Sequence, residues 1–375
     1  MSRLAESDRE RIAALFDRHL EVGLHHGAQL AVYVDGELII DLAGGTTGPD
    51  GDRETHETRH VLFSCTKPYA AVTLHSLVEE GALAYDDRVV DHWPEFAEKG
   101  TDKAAITVRQ VLSHTAGLQK STIDDRPTVW SDWDTVVETL EDQDPLSPPG
   151  EVPAYHALTF GWLVGELVRR VSGTSIERAA ADRVFGPLDM ARTGIGLREG
   201  EDDDVATVVG FEPFDRCRDP GEGLGDNAAV AAPFNAKTVH RAVVPAANGI
   251  GTARDMARFY ACLANGGELE GTRLLEPETV ERMTRLEAET ESDGTLDREA
   301  RFALGFWKGG TTIAPYGSLS PEHVFGHAGL GSSVGWADPE ENVGFSYVTN
   351  GVRDGSYEHL ARVNALADAV RLALR

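Results

Sequence analysis

Phe63-Ser64-Cys65-Thr66-Lys67-Pro68-Tyr69 opens an apolar-rich segment whose spacing predicts a helix over residues 64–80. On a helix, positions i and i+3 share a face, so Lys67 lies over Ser64. In the first turn, Ser64 has unpaired backbone N–H groups and the positive end of the helix dipole beside it. A serine hydroxyl becomes a useful nucleophile when a neighbouring base takes its proton. A lysine serves as that base only where burial and nearby positive potential lower its pKa towards neutrality. Alone, Ser-x-x-Lys is short enough to arise by chance, and a helix cap followed by a solvated lysine is the plain alternative.

Upstream, residues 6–23 carry Ile12, Leu15, Phe16, Leu20 and Val22 at helical spacing, with Ser7 as the expected N-cap. Residues 28–34 and 37–42 flank Asp35-Gly36, the signature of a tight β-hairpin. Residues 44–60 read as a polar loop, and Val61-Leu62-Phe63 as a short buried strand or turn. Downstream, helical patterns cover 107–113, 133–140 and 158–171, the last stopped by Ser172-Gly173. Residues 145–150 form a Pro-rich connector. Residues 196–236 form a long acidic loop, expected to be a lid or an irregular wall of a site. Helices return at 253–265 and 277–286. Alternating strands follow at 303–307, 323–336 and 343–348, and a terminal helix at 357–374. Strands at both ends around a helical middle predict an α/β protein of the α+β type. Its antiparallel sheet is built from the N- and C-terminal segments and flanked by helices. The expected division of this single catalytic unit, 1–375, is an α/β subdomain of 1–80 plus 245–375 and a mostly helical inserted subdomain of 81–244. A site is expected in the cleft between them.

Two further constellations lie in that order along the chain: Pro153-Ala154-Tyr155-His156-Ala157 before a helix, and Phe325-Gly326-His327-Ala328-Gly329-Leu330-Gly331-Ser332 on a strand. With Ser64-x-x-Lys67, with residues 111–118 (VLSHTAGL) and with residues 247–255 (ANGIGTARD), they resemble the serine β-lactamase and penicillin-binding-protein superfamily. Within it the pattern is most like class C β-lactamases, D,D-peptidases and, above all, family VIII carboxylesterases. The resemblance spans nearly the whole chain, and its fold is β-lactamase/transpeptidase-like. It implies Ser64 as the nucleophile of an acyl-enzyme, with Lys67 as its base or electrostatic partner. Tyr155, its pKa lowered by Lys67, would pass the proton to the leaving alcohol. The backbone N–H groups of Ser64 and Leu330 would form the oxyanion hole. His327, Ala328, Gly329 and Trp336 would line the substrate pocket.

Two departures narrow the implied chemistry. Ala157 stands where the pattern has an asparagine that could hold a β-lactam side chain. His327, mostly uncharged at neutral pH, stands where it has a carboxylate-facing lysine. Both favour small, neutral carboxylic esters over β-lactams or D-amino-acid peptides. A non-hydrolytic binding protein that kept the fold is the alternative from another class.

Other signals carry less. Gly331-Ser332-Ser333-Val334-Gly335 matches the Gly-x-Ser-x-Gly elbow, but that elbow needs a strand, a sharp turn and a helix, with an acid and a histidine downstream. Here the short tail leaves only candidates such as Asp354 and His359 as triad partners. His56-Glu57-Thr58-Arg59-His60 matches His-Glu-x-x-His, yet no apolar helical spacing surrounds it, and a solvated loop is expected instead of a zinc site. His114 is expected to hydrogen-bond in a helix-to-loop turn, His25-His26 to be exposed, Cys65 to pack on the buried side of its helix, and the 201–204 acidic run to be solvated. Trp133, Trp162 and Trp307 read as core. No metal and no organic cofactor is implied.

The net charge of −27 argues against nucleic acid and anionic membranes as partners, since both demand a cationic surface. Only six of 35 basic residues are lysine, which fits a halophilic source or a genome rich in G and C. Cys65, Cys217 and Cys262 form no disulfide framework, and no apolar signal core opens the chain, so a cytoplasmic protein is expected. A small-molecule ester is the expected partner.

Overall fold

The computed structural model describes residues 4–97, 102–201, 204–211, 227–311, 314–353 and 356–375. Its centre is an eight-stranded antiparallel sheet. The strands run in the spatial order Glu37–Gly45, Gly27–Val34, Val343–Thr349, Val334–Asp338, Phe325–Ala328, Trp307–Lys308, Ala300–Phe302, Ala288–Thr290. The N-terminal hairpin pairs directly with the last strand, Ala28 opposite Thr349 through Val34 opposite Val343. The α/β fold, with its sheet drawn from both termini and flanked by helices, is therefore as the sequence predicts. Asp35 and Gly36 take φ of 51° and 80° at the hairpin turn, the left-handed pair such a turn requires.

Alternation along the strands gives the sheet two apolar faces. Leu30, Val32, Val334, Trp336 and Phe345 point to one face and pack with Ile12, Phe16, Val363 and Leu366 from helices Glu6–Glu21 and Ser356–Ala373. Ala31, Tyr33, Ala337 and Val348 point to the other. They join helices Ala253–Ala264 and Lys67–Glu79 in one continuous core, which runs on into the helical middle of the chain. Helix Lys67–Glu79 is buried on nearly every side, packed chiefly on Thr159–Ser172. Burial on all sides accounts for its lack of a polar stripe.

Several local expectations need correction. Helix Glu6–Glu21 is capped by Ala5, not Ser7, and without a side-chain bond. His25 is buried against Tyr347, whose hydroxyl lies 2.7 Å from Nδ1. The 44–60 segment is loop-like beyond the strand ending at Gly45, but Glu54, Thr58, Arg59 and His60 in it are buried. Residues 196–236 hold short helical turns at Asn227–Ala231 and Ala232–Asn235. Residues 202–203 and 212–226 of that loop, with Cys217, and Asp354 lie outside the described residues. Among the described residues no helix is long and apolar enough to cross a membrane.

Candidate active site

Ser64 begins a 3-10 turn, Ser64–Thr66, that runs directly into helix Lys67–Glu79. The residue before it, Phe63, is held at φ 48°, ψ −132°, a conformation costly for a side chain with a Cβ. Its neighbours hold it there. The Leu62 N–H donates to Gly249 O at 2.8 Å, and the Phe63 ring packs edge-on against Phe234 at 5.1 Å. The strained turn presents the Ser64 hydroxyl to a cavity of about 830 Å3.

Lys67 is fully buried. Its Nζ lies 3.0 Å from Ser64 Oγ, 2.7 Å from Ala157 O and 3.1 Å from Ala246 O. Burial holds its pKa well below the usual lysine value. A neutral amine has two N–H donors and one lone pair. In the neutral form, with two carbonyls to take those donors, the lone pair would face the serine hydroxyl. Ala157, where the sequence lacks an amide side chain, thus contributes its backbone oxygen.

Tyr155 is 5% exposed, and the Lys67 Nζ lies 4.7 Å from its ring centroid. Its hydroxyl has no hydrogen-bond partner of good geometry among the described residues, although Ser64 is close enough to ease its ionisation. Burial dominates and raises the phenol well above its ordinary value. The expectation that Lys67 lowers it is corrected: burial outweighs every lowering influence on the phenol.

The strand Phe325–Ala328 leads into a turn at 329–332 beside the segment that carries Ser64. A Cβ on Gly329 would lie 2.6 Å from Leu62 O and 3.2 Å from Phe63 Cβ, so only glycine lets the turn approach this closely. The Cys65 thiol, buried as expected, donates to His327 O at 3.3 Å and ties the strand to the helix. Among the described residues, neither the Ser64 N–H nor the Leu330 N–H is taken by another group of the protein. Both are free for an oxyanion.

Ser64, Tyr155, Ala157, Ala328, Gly329 and Leu330 all line the cavity. His327 does not reach it. Its ring is fully buried behind the wall, 5.9 Å from the Tyr155 ring and 4.9 Å from the Trp307 ring, because strand alternation turns it inward. Trp336 also departs from expectation: one strand over, it points to the opposite face, stacked on Phe345 at 4.8 Å beneath Arg371. Trp307, read as core, is instead cavity wall, as are Trp130 and Phe234. The Asp124 carboxyl also lines the cavity, and burial pushes its pKa up to about 6. No sequence spacing marked it.

The remaining motifs are structural. His114, at φ 60°, accepts the His156 N–H on Nδ1 at 3.1 Å, and His156 Nε2 accepts the Leu118 N–H at 3.0 Å. Both hold the 153–158 segment in place. His56 pairs with Asp41 and His60 with Glu54, at 2.9 and 3.0 Å, and no group of three metal-binding side chains occurs among the described residues. Ser333 is fully buried, with a strand and not a helix after it. Asp204 is ion-paired to Arg59 and Arg192.

A serine under a buried lysine, with a tyrosine and two free N–H groups around it, on this sheet-and-helix frame, defines a serine hydrolase. The comparisons agree. The family model described as Beta-lactamase matches residues 12–369, and the chain belongs to that family. It is 34% identical over 344 residues to the Esterase/beta-lactamase LipL of Mycobacterium tuberculosis, covering 86% of this chain and 77% of that protein. A penicillin-binding protein homolog from Caulobacter crescentus superposes with a TM-score of 0.85 at 33% identity, covering 99% of this chain and 98% of the other. A family VIII carboxylesterase does so with a TM-score of 0.83 at 30% identity, covering 98% and 99%.

Proposed function

We propose that the protein is a carboxylesterase that cleaves small carboxylic esters through an acyl-enzyme on Ser64. The observation that carries the reading is the placement of Lys67: wholly buried, its Nζ 2.7 and 3.1 Å from two backbone carbonyls and 3.0 Å from the serine hydroxyl. Neutral Lys67 takes the Ser64 proton as Oγ attacks the ester carbon. The N–H groups of Ser64 and Leu330 hold the developing oxyanion. As the intermediate collapses, Tyr155 gives its proton to the departing alcohol oxygen and recovers one from Lys67. Water then retraces the path to release the acid.

Esters are favoured over lactams because Ala157 brings no side-chain amide and His327 brings no charge into the cavity. The name of the family VIII carboxylesterase supports the same choice, whereas that of the Esterase/beta-lactamase LipL covers both chemistries. The Caulobacter penicillin-binding protein homolog favours a second reading, turnover of a β-lactam or a D-amino-acid peptide. Hydrolysis of p-nitrophenyl butyrate and of a chromogenic cephalosporin, by the parent protein and by Ser64→Ala, separates them. The account expects fast ester turnover that Ser64→Ala abolishes, and cephalosporin turnover slower by at least about a hundredfold. A cephalosporin rate equal to or above the ester rate overturns it.

A further inference from the structure

Arg362, on helix Ser356–Ala373, is wholly buried, and among the described residues no acidic side chain comes within ion-pair distance of it. Glu358, one turn earlier on the same helix, pairs with Arg353 instead, at 3.2 Å. A guanidinium keeps its charge inside proteins, so this is a buried cation that an apolar side chain of similar reach would not impose.

What the guanidinium meets is backbone. Nη1 donates to Leu24 O at 2.9 Å, and Nη2 donates to Gly331 O at 2.7 Å and Gly351 O at 2.8 Å, with His359 Nδ1 3.3 Å from Nη2. The planar fork thus joins the stretch after helix Glu6–Glu21, the end of the last strand, and the 329–332 turn that carries the Leu330 N–H. An ammonium, a single point of charge, matches carbonyls spread in this way less well.

The turn needs such support. Leu330 lies between two glycines, and Gly331 sits at φ 53°, where a Cβ would lie 2.3 Å from Arg353 O. Glycine admits that conformation and many others, so the residue itself does not fix the turn. The Gly331 carbonyl is held from outside by the Arg353 N–H at 2.9 Å and the Arg362 guanidinium at 2.7 Å. Among the described residues, Arg362 is the only side chain that hydrogen-bonds the 329–332 turn. It does so from behind: the cavity wall includes His359 and Leu360 of its helix but not Arg362.

We propose that Arg362 is a positioning residue of the oxyanion hole: its guanidinium anchors the Gly331 carbonyl and so keeps the Leu330 N–H aimed at the developing oxyanion. The proposal rests on the esterase reading and adds a residue to it. A misplaced oxyanion donor costs the transition state and leaves ground-state binding of the ester largely alone.

The test compares the parent protein with Arg362→Met, Arg362→Lys and Arg371→Met. Arg371 is the control from the same helix: it ion-pairs with buried Asp338 and does not touch the turn. With p-nitrophenyl butyrate, Arg362→Met is expected to lose about ten- to a hundredfold in kcat with KM within about twofold of the parent value, and Arg362→Lys to lie between the two. Arg371→Met is expected to melt at a lower temperature with kcat unchanged. A fluorophosphonate places its phosphoryl oxygen at the oxyanion position, so its rate of labelling Ser64 should fall in Arg362→Met by a factor similar to that in kcat. An Arg362→Met protein that folds and keeps the parent's kcat and labelling rate overturns the assignment. So does an equal loss in Arg371→Met, which marks a general loosening of the helix. Should Arg362→Met not fold, Arg362→Lys decides: parent values overturn the assignment, and a lowered kcat with KM held supports it. Labelling that depends on Arg362 in a protein that hydrolyses no ester upholds the positioning role and overturns the esterase reading instead.

Discussion

The Asp293 carboxylate accepts the Tyr155 backbone N–H through both oxygens, at 3.1 and 2.9 Å, and takes the Thr295 and Leu296 N–H groups at 2.8 Å each. Asp293 is 2% exposed and lies 138 residues away in sequence from the tyrosine it holds. Asp293→Ala strands these N–H groups, at a cost of about 3 kcal/mol of stability. Because Tyr155 then loses its register with Ser64, kcat is expected to fall about ten- to a hundredfold while KM changes little. Asp293→Asn keeps one acceptor oxygen and should recover part of the rate. Steady-state kinetics and thermal melts of the two variants check this. A loss of stability with kcat intact in Asp293→Ala contradicts the positioning role.

The pH profile follows from two opposed shifts. In the proposed mechanism Lys67 must be neutral to accept the serine proton, so activity is expected to rise through its depressed pKa as pH increases. Tyr155 must be protonated, and its raised pKa places the alkaline limb above pH 10. The kcat/KM for p-nitrophenyl butyrate is therefore expected to rise from acid and then stay level to the alkaline end of the measurable range.

The same lysine makes stability pH-dependent. In the unfolded chain Lys67 binds a proton below its ordinary value of 10.5, whereas the folded protein keeps it neutral over the window down to the depressed pKa. The unfolded state then binds more protons, so this contribution favours folding at high pH and is lost as pH falls. Lys67→Met lacks the effect. Its melting temperature relative to the parent protein should increase as pH is lowered from 10 to 6, measured by calorimetry across that range.

Gly329→Ala places a methyl group 2.6 Å from Leu62 O and must push the turn, with the Leu330 N–H, away from Ser64. The expected loss is about a hundredfold in kcat, the usual effect of removing one oxyanion donor. KM for a small ester should move much less.

Cys65 and Cys262 are buried, and burial pushes both thiols up to about 12. Neither should react with an aromatic disulfide reagent at pH 8 in the native protein, and both should react once it is unfolded. Peptide mapping after labelling distinguishes the two states.

What the sequence made legible was the part written in short-range spacing. The hairpin at Asp35-Gly36 and the helix carrying Ser64 and Lys67 one turn apart are local, and the structure has both. The antiparallel sheet followed from where strand-like segments fall along the chain. Side-chain direction on the C-terminal strands was not legible. His327 and Trp336 are close in sequence to the cavity-lining Ala328, Gly329 and Leu330, and only the pleat decides that one turns into the core and the other to the far face. The buried state of Glu54 and His60 was also hidden, because Gln29, which holds Glu54 at 2.9 Å, comes from a strand 25 residues earlier. Asp124, Trp307 and Asp293 reach the site from separate loops and strands. No spacing rule links them, and their roles emerge only where the cavity brings them together.

The central claim, that Ser64 is the nucleophile, is tested most directly by labelling the purified protein with a fluorophosphonate and locating the adduct by peptide mass. The account predicts one adduct on Ser64, absent in Ser64→Ala and retained in Ser333→Ala. An adduct on Ser333, or labelling that persists undiminished in Ser64→Ala, contradicts it.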